Sequence, residues 1–242
     1  MNAINDHFFA LKLSVLQLAK GKIWLYIIPP VAVALFFYSI FAFFHNISEG
    51  AEVAKKLPWV GEYVTTGVQK TIGFMVWITD EFYKFFILTL LSPINCLLSE
   101  KVDNEVTGAK FDGGFVRVMK DIGRAIFLLF FTLMLNFLAM FIWYILAWIF
   151  NFHVIDSIVY FVIGAFFVGF SFYDFSLERY GVGFFGAVEF GFERMLYMLL
   201  TGSVFSLIYM IPVVGLILAP FLVTILSTIV YTKMNQKIPQ NL

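Results

Sequence analysis

MLYMLLTGSVFSLIYMIPVVGLILAPFLVTILSTIVYT, residues 195–232, runs for 38 residues without a charged side chain. Only Ile211-Pro212-Val213-Val214-Gly215 interrupts it. A helix rises 1.5 Å per residue and the hydrocarbon core of a bilayer is about 30 Å thick, so a crossing takes about 20 apolar residues. The arm 195–210 supplies 16, roughly 24 Å, and falls short. The stretch reads as an apolar hairpin with a bend at Pro212 and Gly215. A bend inside hydrocarbon leaves backbone groups without water, at several kcal/mol each. Pro212 removes one N–H there and Gly215 permits a tight turn. The remaining groups need protein or a wet cavity around them. A hairpin that stops inside the membrane therefore predicts an oligomer or a water-filled vestibule.

Working back along the chain, residues 174–194 hold Asp174, Glu178, Arg179, Glu189, Glu193 and Arg194 among Gly and Phe, which suits an interfacial helix. Residues 125–173 form a second apolar hairpin, interrupted by Asp156. Its first arm is long enough to span, and its second, 157–173, is 17 residues, a marginal length of roughly 26 Å. Neither hairpin tip carries Lys or Arg, so the tips either reach the far side or stop within the bilayer. Residues 99–124 are the densest charge cluster, with ten ionisable side chains, and read as a cytoplasmic segment. Apolar runs over 22–48 and 71–98 read as two long transmembrane helices, and residues 1–20 as an interfacial helix. The fold expected is an all-α integral membrane protein: two long transmembrane helices, two re-entrant helical hairpins and interfacial helices.

Composition agrees. Of 242 residues, 61% are hydrophobic and 13% charged, about half the charge of an ordinary soluble domain. This excludes a water-soluble enzyme, a disordered chain and a nucleic-acid binder. Lys and Arg number 16, as do Asp and Glu, so no strongly basic polyanion surface is encoded. Cys96 is the lone cysteine, and His7, His45 and His153 are too scattered for metal spacing. No cofactor is expected. The opening MNAINDHFFALKLSVLQLAK is broken by Lys12, Ser14, Gln17 and Lys20 and does not read as a signal peptide. The N-terminal segment, 99–124, 174–194 and the tail hold three, five, two and two Lys or Arg, against three in the loop 45–70. By the positive-inside rule both termini are cytoplasmic.

The stretch Leu91-Ser92-Pro93-Ile94-Asn95-Cys96-Leu97-Leu98-Ser99-Glu100-Lys101-Val102, followed by Thr107-Gly108, resembles the CysZ-type sulfate permeases and the related etoposide-induced membrane proteins. Three later places agree in order and spacing. They are Met119-Lys120-Asp121 with Arg124, Tyr173-Asp174-Phe175, and Met210-Ile211-Pro212-Val213-Val214-Gly215 with Pro220. The resemblance implies two spanning helices with two half-penetrating hairpins, a homo-oligomer, and sulfate movement across the inner membrane to feed cysteine synthesis. The family's Gly-Leu-Arg-like triplet corresponds here to Gly21-Lys22-Ile23, without the arginine. A sulfate dianion suits backbone N–H groups and a guanidinium fork, and Lys22 supplies the charge without the fork.

Candidate residues follow. Gly21, Lys22 and Ile23 are expected as an anion contact, with a snorkelling surface lysine as the plainer reading. Asn95 and Glu100 are expected to gate or to serve structure, through a helix-end hydrogen bond and a pair with Lys101 or a nearby basic residue. Asp174, Glu178 and Arg179 form a proton relay or, more simply, a surface network at i,i+4 spacing. Asn136 lines a pathway or bonds across helices, and Asp156 with His153 marks a solvated turn. No hydrolase, metalloprotease or nucleotide motif is present. The expected function is a permease or channel for sulfate or a related small oxyanion. The alternative is a membrane scaffold that does not transport.

Overall fold

A computed structural model of the chain describes residues 2–54, 70, 71, 89–109, 115–211, 214–235 and 238. Among them every regular element is helical. Helix α1 spans Ala3–Ala19, α2 Ile28–Ala54, α3 residues 89–107, α4 Phe115–Phe150, α5 Asp156–Arg179, α6 Phe184–Glu193, α7 Met195–Tyr209 and α8 Val214–Met234. Of the expected spanning helix 71–98, residues 72–88 lie outside the described residues.

Asn2 caps α1 by accepting a hydrogen bond from the Ile4 N–H. Residues His7, Ala10, Leu13, Ser14 and Gln17 recur at helical spacing and are buried, whereas Phe8 and Val15 on the other side are exposed. The buried face packs on α8. The His7 Nδ1 lies 2.8 Å from the Ala3 carbonyl, which can only accept. Nδ1 therefore carries the proton, and Nε2 accepts from Thr201 Oγ1 at 2.9 Å. Tyr173 then donates to the same Thr201 oxygen at 3.0 Å. This relay fastens α1 to α7 and α5.

Gly21 turns the corner after α1 with φ +76°, a conformation that costs glycine little. A short 3-10 turn, Trp24–Ile27, follows. The Trp24 Nε1 donates to the Leu18 carbonyl at 2.9 Å across the corner. Pro29 and Pro30 sit in the first turn of α2, where the missing N–H has no intrahelical partner to lose. The bend between α1 and Trp24–Ile40 is 102°.

Among the described residues three helical segments are long and apolar enough to cross a membrane: Ile126–Phe150, His153–Arg179 and Val214–Met234. The bent pair at the N-terminus makes a fourth if it counts as one span. The 15-residue α7 is shorter than any of them. Helix α3 continues into the charged region and ends at Gly108, φ +75°. Helix α5 continues beyond residue 173 to Arg179.

Helix α8 sits in the middle, with α1, α2, α5 and α7 packed around it. The closest approach is between α5 and α7. A methyl group at Gly169 would strike the Met198 carbonyl, and one at Gly202 the Ala165 carbonyl. Small residues at such crossings let two backbones meet, which is how helices gain packing energy in lipid. Tyr173, Phe172, Phe205 and Phe221 fill the space beside this contact and are fully buried.

Candidate functional site

Ser92, Asn95, Ser99 and Asp103 recur at three- and four-residue spacing and so share one face of α3. All are buried, none more than 1% exposed. Helix α8 meets them through Thr228, with Thr224 and Thr232 one turn to either side and also buried, and α5 contributes Ser176 and Arg179. The result is a polar seam inside an apolar protein.

Arg179 organises its charged end. The Nε and Nη2 atoms each lie 3.1 Å from Asp103 Oδ2. Nη1 donates to Ser99 Oγ at 2.9 Å and Nη2 to Ser176 Oγ at 3.2 Å. The side chains of Arg179 and Asp103 are 3% and 0% exposed. The Tyr180 hydroxyl donates to Asp103 Oδ2 at 2.8 Å, and the Thr107 hydroxyl to Oδ1 at 3.0 Å. Burial, and then donation to the Asp103 carboxylate, push the Tyr180 phenol well above its ordinary range.

The hydroxyls have a direction. Thr228 donates to the Thr224 carbonyl at 2.7 Å. Ser99, 2.7 Å from Thr228 Oγ1, is therefore the donor of that pair. A hydrogen-bonded line thus runs from the guanidinium through Ser99 and Thr228 into the backbone of α8. Further along α3 the line stops. Ser92 Oγ and Asn95 Nδ2 are buried without a protein partner, the kind of group that normally finds water or a ligand.

A second buried pair lies beside the first. Arg124 of α4 donates to Asp174 Oδ1 at 2.9 Å and to the Val182 carbonyl at 2.6 Å, with Glu178 at 3.9 Å. Asp174 is 2% exposed. The simpler expectation, that Asp174, Glu178 and Arg179 form a surface network along their own helix, is corrected. Their partners lie on α3 and α4; the Arg179–Asp103 pair is buried, and a half-buried Arg124 reaches the buried Asp174.

Gly21-Lys22-Ile23 splits three ways. Gly21 makes the turn, and Ile23 is 1% exposed in the core. Lys22 reaches α3, with Nζ 3.3 Å from both carboxylate oxygens of Glu105. Lys101 joins the same carboxylate at 3.2 Å. Burial raises the Glu105 carboxyl, but the hydrogen bonds from Lys101 and Lys22 outweigh it and hold the group below the usual carboxylate range. The expected partner of Lys101 was Glu100; its ion pair is with Glu105. Glu100 lines a surface hollow of about 180 Å³ with Tyr26, Leu97, Lys101 and Asn104. Asn95 and Glu100 thus face different surroundings. Among the described residues Asn136 makes no bond across helices: its Nδ2 meets Met140 Sδ of its own helix at 3.8 Å, and its Oδ1 has no partner. His153 and Asp156 do pair, at 3.0 Å, and Trp143 donates to the same carboxylate at 2.8 Å.

Sequence reasoning missed Asp103, Ser99, Thr228 and Arg124 as a set. A signal was available. Ser99, Asp103 and Thr107 on α3, and Thr224, Thr228 and Thr232 on α8, repeat every four residues and draw a polar line along each helix. Among the described residues no three His, Cys, Asp or Glu side chains gather as a metal site.

The chain was compared with known proteins. No curated protein matches it. The family model described as Sulfate transporter CysZ/Etoposide-induced protein 2.4 matches residues 10–220, and the chain belongs to that family.

Proposed function

We propose that this member of the family is a membrane permease for sulfate or a related small oxyanion, and that the seam between α3, α5 and α8 is its gate in a closed state. The family supports the transport class. The observation that carries the gate is the buried guanidinium of Arg179 directed at the Asp103 carboxylate. A guanidinium fork recognises carboxylate and tetrahedral oxyanions by the same donors. A dianion entering the seam replaces Asp103 on the fork, and the displaced carboxylate keeps Tyr180 and Thr107 as donors. The unpartnered Asn95 Nδ2 and Ser92 Oγ are the next donors along the path.

Lys22 and Lys101, which flank Glu105 at the surface, are the cations that first meet an approaching anion. Gly21, Lys22 and Ile23 supply the first contact there, and Glu100 borders the hollow beside it. In this reading α1 and residues 174–194 are interfacial, and 22–48 and 71–98 span. The hairpins 125–173 and 195–232 stop within the bilayer, and 99–124 and both termini are cytoplasmic. The protein works in the inner membrane as a homo-oligomer, passively or with a proton gradient, and catalyses no covalent chemistry.

Sulfate uptake into proteoliposomes tests this. Wild-type protein passes sulfate, Arg179→Lys slows it, and Lys22→Ala lowers flux at low sulfate. Neither uptake nor binding, with the helical fold intact, refutes the permease. One observation favours a second reading, a non-transporting scaffold: the guanidinium of Arg179 is fully engaged by neighbouring side chains. A scaffold keeps its assembly in Lys22→Ala, and no variant changes a flux it does not have.

A further inference from the structure

Between α4, α5 and α7, toward the bends of both hairpins, lies a cavity of about 290 Å³. Asn136 of α4 is among its lining residues. The residue is 4% exposed, its Nδ2 is spent on the weak acceptor Met140 Sδ, and its Oδ1 has no donor. A buried amide oxygen left in that state carries the full cost of its desolvation. Tyr160, Phe161 and Tyr209 bring aromatic rings, and Ser206 a hydroxyl. Helix α7 ends here at Tyr209, so the negative end of its dipole adjoins the cavity. No Lys or Arg is among the lining residues. Asp156 stands one turn before Tyr160 on α5 and is the nearest formal charge along that helix.

We propose that this cavity binds a primary alkylammonium group, with Asn136 Oδ1 accepting one N–H and the aromatic rings holding the cation. An empty 150 Å³ cavity accommodates benzene, so about 290 Å³ has room for an ethanolamine unit whose phosphate, in the lipid, stays outside. The lining offers no lysine or arginine to balance a dianion, which separates this site from the anion seam. The amine has two sources, an aminophospholipid headgroup or a soluble amine reaching the bends through water.

Purified protein is titrated with ethanolamine and with dihexanoyl lipids bearing ethanolamine, choline or glycerol headgroups, reading the shift in melting temperature and the tryptophan fluorescence. A saturable response to the ethanolamine lipid, and none to the choline or glycerol lipids, supports the site, because a quaternary ammonium has no N–H and glycerol no charge. Competition by free ethanolamine assigns the site to soluble amines as well; its absence assigns it to the lipid. Asn136→Leu weakens binding at least tenfold, and Asn136→Asp tightens it at least tenfold. Asn136→Leu also melts no lower than wild type without ligand, since it removes an unpaired oxygen at nearly constant volume. Equal responses to ethanolamine, choline and glycerol headgroups overturn the proposal, as do unchanged affinities in both variants.

Discussion

Helices α4 and α8 are both apolar enough to span a bilayer, yet 18% of the apolar part of α4 is buried within the protein against 72% of α8. Helix α4 packs chiefly on α5 and turns Phe130, Phe141 and Trp148 outward. Helix α8 turns its hydroxyls inward: Thr224, Ser227, Thr228 and Thr232 are all buried. In water the apolar side of a helix faces protein. In lipid the tails are as apolar as leucine, so bulky side chains gain little by turning inward. Hydrogen-bonding and small residues mark the protein side instead.

The contrast breaks most readily at the seam. Replacing Arg179 by Ala leaves Asp103 buried and unpaired, which costs on the order of 3–5 kcal/mol. Replacing both residues by apolar ones costs much less. Melting of the single and double variants in one detergent checks this; equal losses for both would mean that the pair is not buried as described. Next comes the α5–α7 crossing. Gly202→Ala drives a methyl into the Ala165 carbonyl and costs roughly 1–3 kcal/mol of overpacking. Gly123→Ala on α4 meets nothing within 4 Å and is neutral or stabilising by about 0.4–1 kcal/mol through reduced unfolded-state entropy. A smaller effect belongs to Glu105. Its folded-state carboxyl titrates below the usual value. Its contribution is therefore complete above the ordinary carboxylate range and lost as pH falls through the folded-state value. Wild type and Glu105→Gln should converge in melting temperature on acidification. Lys22 is 60% exposed, so the gap at neutral pH is modest. Least affected is Phe130→Ala, at 69% exposure, with a change within about 0.5 kcal/mol. A loss above about 2 kcal/mol would show that another copy covers this face of α4.

Much of the fold is legible in the sequence because lipid imposes a length rule. The charge-free runs locate α4, α5 and α8, and the shortage of 195–210 anticipates the brief α7. The interruption read at 211–215 anticipates the break between α7 and α8, and the corner at Gly21 shows as a break between α1 and the first long run. The site is less legible. Lys22 stands out through its place in the family's triplet, but its partner Glu105 lies 83 residues away. Arg179 and Asp103 are 76 apart, and Arg124 and Asp174 are 50 apart. Only the packing of α3 and α4 onto α5 sets those pairs, and local spacing carries no trace of it. Asp174, Glu178 and Arg179 look like a local i,i+4 set for that reason.

The pairing of Arg179 with Asp103, and of Asp174 with Arg124, bears on biogenesis. Both early charges precede their late counterparts by at least 50 residues. During synthesis Asp103 and Arg124 emerge from the ribosome while α5 is still unmade, and neither can leave water alone without a heavy penalty. The amino-terminal half must therefore wait, its charged ends held at the aqueous boundary, until residues 174–179 arrive to neutralise them. A nascent chain cut before α5 is a half-built object that the quality-control machinery can recognise by two stranded charges.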